Sequence, residues 1–347
     1  MASTNQSFEA GAARGMLGLP AALLRIMAGR PIVRDGQTLD VQCQLLLKIM
    51  RMRGATLGSR AVAEERRQMV AQSQMLAPQV DGEVDAHEIQ LDTPDGPLAG
   101  RYYKPEGCPS PSPAIVFYHG GGFVLGDLDT HDGICRALAD RAQAVVIAVD
   151  YRLAPEHPAP AAARDAVAAF RDIVARAEAL SVDAQRLAVV GDSAGGNLAA
   201  VVAQQTRHDA TAPCYQVLFY PVVDFAEDKP SKDRFAEGFL LEKASMDWFE
   251  DHYIPKDHDK RDPWLSPLHG AADNAPPAWI VTAGFDPLRD EGEAYGALLE
   301  TAGVRVETHR EPSLIHGFLN FAGGVKRANK VLDTSALQLR AALGAPA

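Results

Sequence analysis

Cysteine is scarce in this 347-residue sequence, basic residues are outnumbered by acidic ones, and no apolar run is long. The four cysteines, Cys43, Cys108, Cys135 and Cys214, lie far apart with no C-x-x-C pair. That spacing argues against a zinc site or a compact disulfide framework and points to free thiols in a reducing cytoplasm. Lys and Arg number 34 against 45 Asp and Glu, a formal charge of −11. Nucleic acid and anionic membrane both recruit clustered basic residues, so neither is an expected partner; a small neutral molecule is. No stretch reaches the roughly 18 apolar residues that a membrane span requires. Met16 to Ala28 comes nearest, but Pro20 and Arg25 interrupt it, and neither a basic segment before it nor a small-residue cleavage site after it marks a signal peptide. It reads as an amphipathic helix of a soluble protein. With 47% hydrophobic residues the chain can still build a sizeable core.

The pattern is helical from the N-terminus to about Ala77, with Leu39, Cys43, Leu46 and Met50 at helical spacing and no strand signal before His87. Residues 1–80 are therefore expected to form a helical cap, and residues 81–347 a catalytic α/β domain. Glu88 to Leu91 and Leu98 to Tyr103, separated by Pro94-Asp95-Gly96, read as an antiparallel hairpin. Further strands are expected at Ile115 to Tyr118, Val145 to Val149, Leu187 to Val190, Gln216 to Tyr220, Trp279 to Ala283 and Val304 to His309. Several are apolar throughout, as in parallel strands covered on both faces. Helical stretches at Ala161 to Ala179, Asn197 to Arg207 and Gly292 to Ala302 alternate with them, which predicts a doubly wound sheet. The interval 224–276 is longer than a normal crossover and rich in aromatics, so a second cap element is expected there.

Chemistry concentrates at four places. Leu187 to Val190 runs straight into Gly191-Asp192-Ser193-Ala194-Gly195 and then a helical stretch, the strand, sharp turn and helix of a nucleophile elbow with Ser193 exposed at its tip. His119-Gly120-Gly121-Gly122-Phe123 follows another strand, and a glycine run bares N–H groups that can hold an oxyanion; with Ala194, the expected donors are Gly121 and Gly122. His119 precedes the glycines and is expected to fix the loop. In this fold the base comes last, and His316 stands in the loop after the last strand, whereas His309 belongs to the strand itself. The acid is expected after the preceding strand, where Asp286 is nearest its end and Pro287 keeps it extended. Asp290 and Glu291 sit in the next helical turn, where acids favour the dipole.

Together HGGGF (119 to 123), YRLAPEHPAPAA (151 to 162), GDSAGGNLAA (191 to 200), DPLRDEG (286 to 292) and HGF (316 to 318) make the chain resemble the hormone-sensitive lipase family of α/β-hydrolase-fold esterases, bacterial family IV. The resemblance implies the α/β-hydrolase fold, a mostly parallel eight-stranded sheet with flanking helices and a helical cap. It also implies no cofactor or metal, activity on short- to medium-chain esters, and a homodimer of the kind common among relatives. Phe123 stands where many relatives carry Trp, so it and Asp192 are candidate substrate-pocket residues. In the same family Tyr151-Arg152 braces the oxyanion loop; a local pair of Arg152 with Glu156 or Asp150 is the simpler expectation. The expected reaction is acyl transfer through Ser193, His316 and Asp286. A non-catalytic receptor on the same fold is disfavoured because His316 is present, and amides or lactones are the alternative substrates for the same triad.

Overall fold

The computed structural model describes residues 2–54 and 56–344, residues 2–9 by their backbone alone. In chain order it has helices α1 (Ala2–Leu17) and α2 (Ala21–Ala28), strands β1 (Val33–Arg34) and β2 (Gln37–Thr38), then α3 (Val41–Met52) and α4 (Val62–Met75). There follow β3 (Val84–Leu91), β4 (Leu98–Pro105), β5 (Ser112–Tyr118), α5 (Asp132–Ala142), β6 (Val145–Val149), α6 (Ala161–Ala175), β7 (Val182–Asp192), α7 (Ala194–Gln205) and β8 (Tyr215–Phe219). The chain ends with α8 (Pro230–Arg234), α9 (Lys243–Tyr253), β9 (Ala278–Phe285), α10 (Arg289–Thr301), β10 (Val306–Ile315) and α11 (Lys326–Ala342).

Eight strands form one sheet in the order β10-β9-β8-β7-β5-β6-β4-β3. From β6 to β10 every pairing is parallel, while β4 pairs antiparallel with both β3 and β6. The parallel strands are apolar because helices cover both faces: every residue of β5, β6, β8 and β9 is buried. Helix α7 is buried around almost its whole circumference. Its first turn contains glycines because nothing larger fits: a Cβ on Gly195 would run into the carbonyl of Tyr118. After β5 the chain adds β6 on one side and then crosses to place β7 on the other. Such a reversal opens a crevice at the carboxyl ends of the two strands, which is where ligands bind in sheets of this kind.

The helical expectation for the N-terminal segment needs one correction. Asp35 and Gly36 both adopt positive φ, 56° and 72°, and turn β1 back on β2. An Asp-Gly pair is a strong two-residue hairpin signal, but the flanking strands are only two residues each and leave no alternating pattern to read. Asp35 then pairs with Arg289 and Arg234 at 2.8 Å each, tying the segment to the start of α10. Strand β3 also begins earlier than expected, at Val84, and β7 at Val182, because pairing with β4 and β5 recruits polar residues at their outer ends.

Candidate active site

Four strand ends bring the site together. Ser193 lies between β7 and α7 at φ 55°, ψ −117°, a region that side-chain-bearing residues rarely occupy. The turn holds because Gly191 and Gly195 let the backbone close on itself; a Cβ on Gly191 would meet the Gly195 carbonyl. His316 follows β10 directly, and its Nε2 lies 2.9 Å from Ser193 Oγ. Its Nδ1 lies 2.8 Å from Oδ2 of Asp286, which is fully buried after β9. The other carboxylate oxygen of Asp286 accepts from the Leu288 N–H at 2.8 Å, so the acid is held from two sides. With Nδ1–H given to the carboxylate, Nε2 presents its lone pair to the hydroxyl.

The glycine loop after β5 supplies the second half. Gly121 and Gly122 have φ of 127° and 62°. Their N–H groups meet no acceptor among the described residues, and Ala194 N–H is the first of its helix and so lacks an intrahelical partner. The loop is pinned from below. Gly120 N–H donates to Asp192 Oδ1 at 2.8 Å, and Tyr151 hydroxyl donates to the His119 carbonyl at 2.7 Å. His119 Nδ1 meets the Gly120 carbonyl at 2.8 Å, and the ring stacks on Tyr151 at 4.3 Å. Burial, with the nearby His131 charge, pushes the His119 imidazole down to about 3, so it is neutral and braces the loop.

Four side chains have roles that spacing alone misassigned or missed. Asp192 borders the cavity, but its carboxylate is turned to Gly120 and, at 3.1 Å, to His131. Burial opposes its charge, yet the His131 ring and the Gly120 N–H outweigh that and leave Asp192 below the usual carboxylate range. Glu291 is not a solvated dipole acid. It is fully buried and accepts from the N–H groups of Val223 and Asp224, with Lys232 at 3.5 Å, so it anchors the chain leaving β8. Burial pushes its carboxyl up to about 8 despite Lys232. Asp290 likewise binds the Ser231 N–H at 2.9 Å. Arg152 pairs with neither Glu156 nor Asp150; it forks onto buried Asp165, at 2.6 Å, and reaches Asp95. These partners are distant in sequence, and no local spacing marks them. His309, as expected for a strand residue, stays away from the triad and contacts Glu311 at 2.6 Å.

A cavity of about 180 Å³, mostly apolar, opens over Ser193. Its walls include Leu57 and Met69 from the N-terminal segment and Met246 and Phe249 from α9. Phe249 lies so close over Gly122 that a Cβ there would overlap its ring. Phe123, at φ 62°, stacks on Tyr253 with ring centres 4.0 Å apart, and Phe225 lies 6.2 Å away. Helix α4 is latched to the chain after the glycine loop by Arg66, which donates to the carbonyls of Val124 (2.9 Å) and Ala154 (2.8 Å) and pairs with Glu156 at 2.8 Å. The Arg66 guanidinium holds the Glu156 carboxyl down to about 2. Because the folded value lies below the ordinary glutamate value of 4.5, that pair is complete above about pH 4.5 and is lost as the pH falls through 2. Arg66→Ala should cost about 1–3 kcal/mol, mostly from the two carbonyl bonds since the Glu156 pair is exposed, and should raise KM more than it lowers kcat. Thermal denaturation and steady-state kinetics check both; an unchanged KM would mean the latch does not shape the pocket.

A family model described as alpha/beta hydrolase fold matches residues 115–320. The chain is an α/β-hydrolase of the hormone-sensitive lipase family. Carboxylic ester hydrolase LipN of Mycobacterium tuberculosis is 44% identical over 87% of this chain and 83% of its own length. Ethyl acetate hydrolase of Pseudomonas putida is 42% identical over 79% of this hydrolase and 89% of its own length. Among solved structures, the ester hydrolase EH1AB1 from the Lake Arreo metagenome superposes with a TM-score of 0.83 at 41% identity, covering 88% of this chain and 99% of its own. No helix among the described residues of this hydrolase is long and apolar enough to cross a membrane.

Proposed function

We propose that this hydrolase cleaves short- to medium-chain carboxylic esters through an acyl-enzyme on Ser193. The observation that carries the assignment is the unbroken line Ser193 Oγ, His316, Asp286, at 2.9 and 2.8 Å, facing free N–H groups on a glycine loop. Relatives named for ester hydrolysis, including an ethyl acetate hydrolase, support the reaction class. His316 Nε2 takes the hydroxyl proton as Oγ attacks the ester carbonyl, and Asp286 balances the imidazolium that forms. The N–H groups of Gly121, Gly122 and Ala194 receive the oxyanion. His316 then returns the proton to the leaving alkoxide, which departs as alcohol. Water, deprotonated by the same nitrogen, cleaves the acyl-enzyme to the free acid and Ser193.

The two cap segments, residues 1–80 and the element within 224–276, form the lid and set chain length, with Phe123 and Phe249 as walls. Phe249→Ala should raise kcat/KM for longer acyl chains about five- to tenfold and change acetate turnover less than about threefold, since one added methylene in an apolar pocket is worth roughly 1 kcal/mol. An aryl-ester series from acetate to decanoate reads this; an unmoved optimum would remove Phe249 from the pocket wall. The four free cysteines support a reducing, cytoplasmic setting. β10 is an edge strand of the sheet, covered near its end by the Asp40 N–H bond to the Ser313 carbonyl, and Leu337 on α11 is 61% exposed, which supports a homodimer through that face.

A further inference from the structure

The sequence motifs leave His131 without a role, yet it is one of the most completely buried polar side chains, at 1% exposure, beneath the glycine loop. It opens α5, and its ring lies 5.6 Å from the His119 ring and 5.9 Å from Phe117. Its Nδ1 is 2.8 Å from Thr130 Oγ1. That hydroxyl already accepts from the Asp127 N–H at 3.0 Å and donates its one proton to the Asp127 carbonyl at 2.7 Å. A hydroxyl with its proton committed can only accept from Nδ1, which makes Nδ1 a donor. On the far side Nε2 faces Asp192 Oδ1 at 3.1 Å, in a contact too oblique for an aligned hydrogen bond. A lone pair there would face a carboxylate, so the contact favours a proton on Nε2 toward the buried anion.

We infer that His131 is a positioning residue for the oxyanion hole, supplying the buried countercharge that keeps Asp192 ionised and so keeps Gly120, and with it Gly121 and Gly122, in register with Ser193. Asp192 has few other partners: the Gly120 N–H at 2.8 Å and the Tyr220 hydroxyl at 3.4 Å. A fully buried carboxylate left with only those would be costly. Asp192 is the residue immediately before the nucleophile, and its carboxylate reaches the loop after β5, so it joins the two halves of the site through a single side chain. His131 touches neither substrate nor reacting atoms and acts only through that carboxylate.

The inference rests on the ester-hydrolase reading, and the test separates the two. His131→Phe removes the countercharge and keeps a ring; Asp192→Asn removes the anion. His131→Phe is expected to lower kcat about 100-fold with KM within about threefold, the pattern of an oxyanion donor moved off its target. Asp192→Asn is expected to lose about tenfold. The double variant should be more active than His131→Phe alone and within about fivefold of Asp192→Asn, because removing both charges is less harmful than stranding one. If His131→Phe does not fold, the double variant should fold and turn over near the level of Asp192→Asn. The inference is overturned if His131→Phe matches wild type per folded molecule, if the two single losses multiply in the double variant, or if neither His131 variant folds. Wild type and Ser193→Ala run alongside: equal turnover by those two would instead strike down the ester-hydrolase reading, and the positioning role with it.

Discussion

Ser193→Ala is expected to reduce turnover of a short-chain aryl ester by about five to six powers of ten, which is the loss seen when a triad nucleophile is removed. The fold should survive the change. Alanine keeps the Cβ and the backbone at φ 55°, ψ −117°, a conformation imposed by Gly191 and Gly195 closing the turn and not by the hydroxyl. Among the described residues the only hydrogen bond of the side chain is to His316 Nε2, on the cavity side, so no buried group elsewhere loses its partner. A thermal midpoint within a few degrees of wild type, together with background turnover, is the expected pair of observations. Residual activity near the wild-type level would mean that another nucleophile operates.

Asp286→Asn should lower kcat by about four powers of ten while leaving KM almost unchanged. The carboxylate has two tasks that separate on substitution. Oδ1 holds the Leu288 N–H, and the amide oxygen of asparagine can do the same, so the loop after β9 should keep its shape. Oδ2 accepts from His316 Nδ1, and there an amide NH2 can only donate, which forces the imidazole into the tautomer with Nε2–H toward Ser193. That ring cannot take the serine proton. Asp290→Asn is the control, because Asp290 bonds Ser231 and Arg289 and has no contact with His316; it should cost stability and little of the chemistry. Comparable kcat losses in the two variants would contradict the assignment of the acid.

The site was legible where chemistry is written in consecutive residues. Ser193 and its glycines, the His119 to Phe123 loop, Asp286 before a proline and His316 after a strand each announce themselves within five or six positions, because a sharp turn or a bare N–H demands particular residues locally. The sheet was legible for a related reason: strands covered on both faces must be apolar end to end, as β5 and β6 are. What was not legible depends on partners brought together only by folding. Glu291 looks like a helix-start acid, and its partners Val223, Asp224 and Lys232 lie some sixty residues earlier. Arg152 has acidic neighbours on both sides in sequence and chooses Asp165, which is buried where α6 turns beneath it. His131 carries no motif, and its meaning comes from standing under Asp192. The β1–β2 hairpin hid for want of length, with two residues per strand too few to show alternation.

The most direct measurement is the mass of the protein quenched in acid during turnover of a p-nitrophenyl butyrate-type ester, followed by peptide mapping. Acyl transfer through the 2.9 Å Ser193–His316 contact predicts an adduct of one butyryl group on the peptide that carries Ser193, absent from Ser193→Ala and formed far more slowly in Asp286→Asn, whose imidazole cannot take the serine proton. Hydrolysis with a butyryl group on any other residue, or full turnover by Ser193→Ala, would contradict it.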